Sequence, residues 1–242
     1  MPNDLLLLSN SALHGHGYLE HARDALTEFL AGRDVLFVPF ALADHDGYTQ
    51  KVRVALEPLG SRVAGLHEAA DPRAAVERAA VLFVGGGNTF RLLRAIQQAG
   101  IIEGVRRRVA EGSLSYLGSS AGTNHACPTI RTTNDMPIVQ PASLEAFGLV
   151  PFQVNPHYLD PDPASTHMGE TREERIRQFL EENDVPVLGL REGAWLRRRG
   201  DRLTLQGTTG AVLFRRHEEA TSYTDGADLS FLLTAPARFD CR

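Results

Sequence analysis

The stretch Leu114-Ser-Tyr-Leu-Gly-Ser-Ser-Ala-Gly122 places Ser120 inside a Gly-x-Ser-x-Gly pattern, directly after an apolar run and ahead of a helical start. That order of features predicts a strand, a sharp turn and a helix, with the serine hydroxyl projecting from the carboxyl end of the strand. Such a turn crowds its own backbone. Gly118 and Gly122 leave room for it, and Ser119 and Ala121 keep it slim. The helix N-terminus behind the turn favours developing negative charge, and the Ala121 N–H is positioned as an oxyanion donor. The chemistry on offer is nucleophilic attack by Ser120.

A second glycine-rich turn, Gly85-Gly-Gly-Asn88-Thr89, also follows a strand-like run. It reads either as a phosphate cradle or as a loop bringing the N–H of Gly87 or Asn88 toward a tetrahedral oxyanion. No Lys-Ser/Thr follows it, and Phe90 breaks a Gly-x-Gly-x-x-Gly match, so the oxyanion reading is preferred. A nucleophilic serine also needs a base. Of nine histidines, His157 is the best placed, because Asn155-Pro156-His157-Tyr158 closes the apolar run Phe152–Val154. For the carboxylate that orients the imidazole, Glu192 and Asp135 compete. Glu192 follows the run Val187–Leu190 on the same predicted sheet edge, whereas Asp135 lies in the polar loop Arg131–Ile138 and can instead set that loop or meet a substrate amine. Cys127, just before Pro128, reads as a small buried hydrophobe. His14, His16 and His21 read as a solvent-facing cluster with no carboxylate to complete a metal site.

These groups have to be held by a scaffold, and the pattern supplies one. Short apolar runs at Leu5–Leu8, Val35–Phe40, Val63–Leu66, Val81–Val84, Leu114–Leu117 and Val187–Leu190 alternate with amphipathic stretches such as Leu19–Phe29, Tyr48–Leu56, Thr89–Ala99, Ile101–Glu111 and Thr171–Glu182. This predicts an α/β fold, a mostly parallel sheet with helices on both faces. Ala194–Leu196, Arg202–Leu205 and Ala211–Phe214 read as a C-terminal antiparallel meander. The 242 residues show no repeat and no linker, so residues 1–242 are expected to form one catalytic domain. With 43% hydrophobic and 23% charged residues, the chain is an ordinary globular sequence rather than a disordered or disulfide-stapled one. A net charge of −5 without a basic block argues against nucleic acid, and no run is long enough to span a membrane. Two cysteines and no visible signal peptide suit a cytoplasmic setting. Of the 25 basic residues, only Lys51 is a lysine, so any cation the site requires is expected to be an arginine.

Taken together, Leu5-Leu-Leu-Leu-Ser-Asn-Ser, Val84-Gly-Gly-Gly-Asn-Thr-Phe, Ser119-Ser-Ala-Gly, Cys127-Pro-Thr-Ile-Arg-Thr-Thr-Asn-Asp-Met-Pro-Ile-Val, Asn155-Pro-His and Gly169-Glu-Thr-Arg-Glu resemble the peptidase E family of serine-type aspartyl dipeptidases. The resemblance spans nearly the whole chain. It implies a fold akin to class I glutamine amidotransferases (flavodoxin-like), with Ser120 and His157 catalytic and either Glu192 or Asp135 as third member. It also implies hydrolysis of Asp-X dipeptides through an acyl-enzyme, with no metal and no cofactor. The C-terminal extension beyond Tyr223 departs from the family pattern. Specificity for aspartate requires a cation, because an unpaired carboxylate in a closed site is costly. Arg131, in the block after the elbow helix, is the first candidate, while Arg172 and Arg175 read as a solvated helix face. A cyanophycinase-like hydrolase of aspartyl-arginine polymer and a non-catalytic small-ligand binding module are the alternatives. The sequence leaves monomer and homodimer equally open.

Overall fold

The computed structural model of the chain describes residues 2–164, 166 and 168–241; His167 lies outside them. Two sheets carry the fold. In the larger, β1 (Asp4–Leu8), β2 (Val35–Val38), β3 (Val63–Gly65), β4 (Val81–Val84) and β5 (Ser115–Ser119) run parallel in the order β3-β2-β4-β5-β1. The antiparallel strands β8 (Ala194–Arg199) and β9 (Arg202–Gly207) extend it beyond β1. The parallel strands are continuous apolar runs because both faces are covered. Leu5 and Leu7 share a core with α3 (Pro72–Arg78), α4 (Thr89–Ala99) and α5 (Ile102–Glu111), through Val76, Leu92, Ile96, Val105 and Val109. Leu6 and Leu8 point the other way and pack with α1 (Arg23–Leu30) and α2 (His45–Leu56), through Leu26, Phe29, Val52 and Leu56.

The smaller sheet has the order β11-β10-β7-β6, built from β6 (Gln153–Tyr158), β7 (Val187–Arg191), β10 (Ala211–Phe214) and β11 (Thr221–Tyr223). One face joins the larger core through Val154, Leu188, Leu190 and Leu213. The other is covered by α7 (Arg172–Glu182), whose Ile176 and Leu180 meet Val187, Val212 and Phe214. Thr171 caps α7 as its sequence predicts: its hydroxyl accepts the Glu174 N–H at 3.1 Å and the Glu174 carboxylate accepts the Thr171 N–H at 2.6 Å. The expected meander is not formed. β8 and β9 make a hairpin on the larger sheet, while β10 pairs with β7 and β11 in the smaller one. Ala211–Phe214 is buried throughout, so its partner is set by which core it completes.

The Pro- and Asn-rich region after α6 (Ala121–Ala126) contains no helix or named strand up to β6. It is held by scattered backbone bonds, such as the Ile130 N–H to the Leu144 carbonyl and the Ala146 N–H to the Pro128 carbonyl, and by side chains. The Arg106 guanidinium donates to the Phe147 and Ala146 carbonyls, and the Gln153 amide donates to the Thr129 carbonyl. Among the described residues, no helix is long and apolar enough to cross a membrane.

His125 on α6 is fully buried behind the elbow, its Nδ1–H donating to the Ala121 carbonyl at 2.8 Å. Burial pushes its pKa down to about 4, against weaker upward contributions from that hydrogen bond and from the Asp135 charge. The unfolded chain, with an ordinary histidine near pH 6.5, therefore takes up a proton here that the folded chain refuses. This contribution to stability is complete above about pH 6.5 and is lost as pH falls toward about 4, with a slope of up to about 1.4 kcal/mol per unit. Urea midpoints measured from pH 7 to 4.5 are expected to fall less steeply in His125→Asn than in the parent protein. Parallel slopes would count against it.

Candidate active site

The elbow is formed as its sequence demands. β5 ends at Ser119, α6 begins at Ala121, and Ser120 between them has φ 54° and ψ −111°, a conformation that side-chain-bearing residues seldom adopt. Its N–H is tied to the Leu8 carbonyl at 3.1 Å. Gly118 and Gly122 make the turn possible. A Cβ on Gly118 would lie 2.7 Å from the Gly122 carbonyl oxygen, and one on Gly122 would run into the Val84 carbonyl.

Ser120 Oγ lies 2.7 Å from His157 Nε2, and His157 Nδ1 lies 2.6 Å from Glu192 Oε1. A carboxylate can only accept, so the Nδ1 proton points to Glu192 and Nε2 is free to accept from the serine hydroxyl. The His157 side chain is 37% exposed and that of Glu192 45%, so the pair matters for orientation rather than for stability. The three residues come from different parts of the fold. Ser120 ends a strand of the larger sheet. His157 sits in β6 of the smaller sheet at a register shift between Pro156 and Tyr158, with φ 54°, so the strand bulges there instead of ending. Glu192 occupies the short turn by which the chain leaves β7 for β8 and so passes between the sheets. Ser9, just after β1, ties these parts together. Its hydroxyl donates to the Leu190 carbonyl at 2.8 Å and accepts the His157 N–H at 2.9 Å. Next to it, the Asn10 side-chain Oδ1 accepts the Gly193 N–H at 2.9 Å.

The serine opens into a cavity of about 590 Å³ lined by Gly87, Ala121, Asp135, His157, Arg172 and Glu192, among others. Accounting for the amides of the glycine loop separates the two oxyanion candidates. The Gly85 N–H goes to the Val38 carbonyl, the Gly86 N–H to the Tyr48 hydroxyl and the Asn88 N–H to the Ala41 carbonyl, whereas the Gly87 N–H has no partner among the described residues. Asn88 is thereby excluded as the backbone donor. Its side chain instead accepts the Arg91 N–H to cap α4 and donates to the Met136 carbonyl. A single free amide beside a serine is no phosphate cradle, which would need several converging N–H groups.

Asp135 lines the cavity but does not touch His157. Its Oδ2 accepts from the Thr89 N–H at 2.8 Å and the Thr89 hydroxyl at 2.6 Å, at the start of α4, and its Oδ1 has no partner among the described residues. Arg131 is elsewhere. Its guanidinium donates to both oxygens of Asp240, at 2.7 and 3.1 Å, and lies over the Phe239 ring, so the expected aspartate-binding role finds no geometric support. The extension beyond Tyr223 thus straps back onto the block that carries Asp135. Arg172, expected on a solvated face, lines the cavity and has no hydrogen-bond or ion-pair partner among the described residues. Burial, and next the Arg175 charge, hold its pKa below the ordinary arginine value, while Asp135 opposes them.

Cys127 is buried as expected, its thiol pushed up to about 12 by burial, which removes it as a nucleophile. His14 and His16 are exposed, but His21 is partly buried against the Trp195 ring. Among the described residues, the group of side chains spaced to share an ion is Asp46, His67 and Glu68, none of which lines the cavity, and Glu68 is already engaged by Arg53. A second cavity, of about 520 Å³, is lined by Tyr18, Leu26, Lys51 and Val54 and contains no nucleophile–base pair. Sequence reasoning missed Ser9, Asn10, Thr89 and Tyr48, although Ser9 and Asn10 stand in the Leu-Ser-Asn-Ser stretch that carries the family resemblance.

A serine on a strand-to-helix elbow of the larger sheet, met by a histidine from the smaller sheet with a carboxylate behind it, is the arrangement of a serine hydrolase on an α/β fold. More particularly, the chain belongs to Peptidase family S51, whose pattern matches residues 5–206. It is 60% identical to a Streptomyces coelicolor protein named Peptidase E over 238 residues, 98% of each chain. It is 51% identical to a Drosophila melanogaster protein named as a probable alpha-aspartyl dipeptidase, over 95% of this chain and 97% of that one. The fold is shared with the crystal structure of a peptidase from an acI-B1 Actinobacterium, at TM-score 0.67 and 18% identity, covering 94% of this chain and 96% of that one.

The crowding at the elbow predicts a contrast between two glycines. Gly122→Ala is expected to destabilise by about 2 kcal/mol or more, because the Val84 backbone in a central strand has to yield. Gly104→Ala on α5, where an added Cβ meets the Glu77 side chain at 3.4 Å, is expected to be neutral or to stabilise by up to about 1 kcal/mol. Urea denaturation of both variants measures the difference.

Proposed function

We propose that this protein is a serine dipeptidase that hydrolyses Asp-X dipeptides, with Ser120, His157 and Glu192 as its catalytic residues. The observation that carries the reading is the chain of two short hydrogen bonds from Ser120 Oγ through His157 to Glu192. The named activity of the Drosophila relative supports the substrate. In this reading Ser120 Oγ attacks the peptide carbonyl carbon while His157 Nε2 takes its proton. The carbonyl oxygen becomes an oxyanion between the N–H groups of Gly87 and Ala121. As the tetrahedral intermediate collapses, the C–N bond breaks and His157 returns the proton to the leaving amine. Water repeats the sequence on the aspartyl ester and frees Ser120. Glu192 holds the imidazole in the required tautomer and stabilises its charged form.

In this reading substrate recognition falls to the Arg172 guanidinium and the Asp135 Oδ1, which have no partner among the described residues. Arg172 receives the side-chain carboxylate of the N-terminal aspartate, and the free Oδ1 of Asp135 receives its α-ammonium group. Asp135 is therefore a binding group in this reading and not the third catalytic member. The same reading takes residues 1–242 as one catalytic domain with the class I glutamine amidotransferase-like arrangement. It places the protein in the cytoplasm, where its two unpaired cysteines, Cys127 and Cys241, persist.

Activity on Asp-Leu tests the roles. Ser120→Ala is expected to lower kcat/KM by on the order of 10⁴-fold and to abolish labelling by a fluorophosphonate. Glu192→Gln should act mainly on kcat and Asp135→Asn mainly on KM. Near-parental hydrolysis by Ser120→Ala would sink the reading. For selectivity, Arg172→Ala is expected to raise KM for Asp-Leu by roughly 10- to 100-fold and to remove most of the preference over Ala-Leu. Arg131→Ala should leave that preference in place. The opposite result would return the aspartate site to Arg131.

A further inference from the structure

We propose that Tyr48 is a positioning residue of the oxyanion hole, holding the glycine loop so that the Gly87 N–H faces the reacting carbonyl. The inference rests on the reading of Gly87 as an oxyanion donor and explains what aims that amide. Three consecutive glycines have no side chains to restrict them, so their backbone ranges widely unless hydrogen bonds hold it. Three such bonds span the loop: Gly85 N–H to the Val38 carbonyl at 3.3 Å, Gly86 N–H to the Tyr48 hydroxyl at 2.8 Å and Asn88 N–H to the Ala41 carbonyl at 3.1 Å. The outer two fasten the ends of the loop. The bond to Tyr48 fixes the Gly85–Gly86 peptide, next to the one that carries the Gly87 N–H, and it alone of the three comes from a side chain.

The surroundings of Tyr48 are arranged to deliver that oxygen. Asp44 caps α2 by accepting the Gly47 N–H at 2.9 Å, which sets the first turn on which Tyr48 stands. The ring is 6% exposed and packs edge-on against Phe37, centroids 4.9 Å apart. Gly85 leaves the approach open: a Cβ there would lie 2.6 Å from the hydroxyl. Gly86 in turn lies against the nucleophile, where a Cβ would come within 3.0 Å of the Ser120 Cβ. The phenol oxygen therefore acts one peptide unit from the oxyanion donor and one contact from the serine, without itself lining the cavity.

A merely structural tyrosine and a positioning one differ in what they change. Tyr48→Phe keeps the ring and removes the acceptor. It is expected to lower kcat on Asp-Leu roughly ten-fold with KM within two-fold, since one hydrogen bond is lost and both amides of the oxyanion hole remain. A boronic-acid analogue of aspartate, whose tetrahedral adduct on Ser120 occupies the same hole, should lose a similar factor in affinity, while free aspartate binds unchanged. Gly85→Ala, which crowds the hydroxyl off the amide, should give the same split and serves as an independent variant. Unchanged kcat and boronate affinity, or equal losses of boronate and aspartate affinity, would overturn the role of Tyr48. Ser120→Ala, measured alongside, keeps the two levels apart. Retained activity there overturns the serine mechanism itself, whereas an inactive Ser120→Ala beside an unaffected Tyr48→Phe overturns the Tyr48 proposal alone.

Discussion

The Ser9 hydroxyl is the interaction on which the geometry of the site depends. It is fully buried, donates to Leu190 in the smaller sheet and accepts from the backbone of His157, while β1, the strand it follows, belongs to the larger sheet. Since Ser120 is carried by one sheet and His157 by the other, a 2.7 Å contact between them requires the sheets to be registered to a fraction of an ångström. Apolar packing between the sheets is strong but non-directional, and it tolerates small slides. Buried hydrogen bonds do not, because each one broken leaves a donor or acceptor unsatisfied at about 1–3 kcal/mol. Ser9 supplies two such bonds and Asn10 a third, all within a few residues of His157 and Glu192.

The electrostatics of the cavity are local. The chain as a whole carries −5, yet among the described residues the cavity holds one arginine without a partner, Arg172, and one carboxylate with a single oxygen free, Asp135, while its other polar groups are largely bonded to one another. An N-terminal aspartate has the complementary pair, a carboxylate and an ammonium on adjacent carbons. Two opposed charges at fixed positions discriminate by shape as well as by sign, because a ligand carrying only one of them leaves the other protein charge uncompensated. This is a more selective device than a field spread over the surface.

The parts of this fold legible in the sequence were those that local sterics dictate. The elbow could be recognised because a turn that tight excludes side chains at 118 and 122, and the parallel strands because runs such as Leu5–Leu8 bury both faces. The helix cap at Thr171 was legible for the same local reason. Side-chain direction and distant pairing are less legible, although Ser120, His157 and Glu192 do come together. Arg131 stands four residues from Asp135, yet its guanidinium is drawn to Asp240, more than a hundred residues away. Arg172 begins an amphipathic helix whose apolar face is Ile176 and Leu180, and nothing local shows that its first residue lines a cavity with Asp135, His157 and Glu192. The spacing of β10 groups it with β8 and β9, whereas its partners are β7 and β11. Tyr48 reads as one more apolar position on α2, because nothing local shows that its hydroxyl meets a glycine loop.

Ser120 and His157 both have φ of 54°, a region where a side chain is strained by roughly 1–3 kcal/mol and glycine is not. The chain therefore keeps two residues in conformations that folding alone would avoid. Leu19, Ala31 and His217 are held in the same region, at φ 62°, 48° and 60°, so the conformation alone does not single out a site. What sets Ser120 and His157 apart is that both strained residues aim their side chains at one another, so relaxing either backbone would part a 2.7 Å contact.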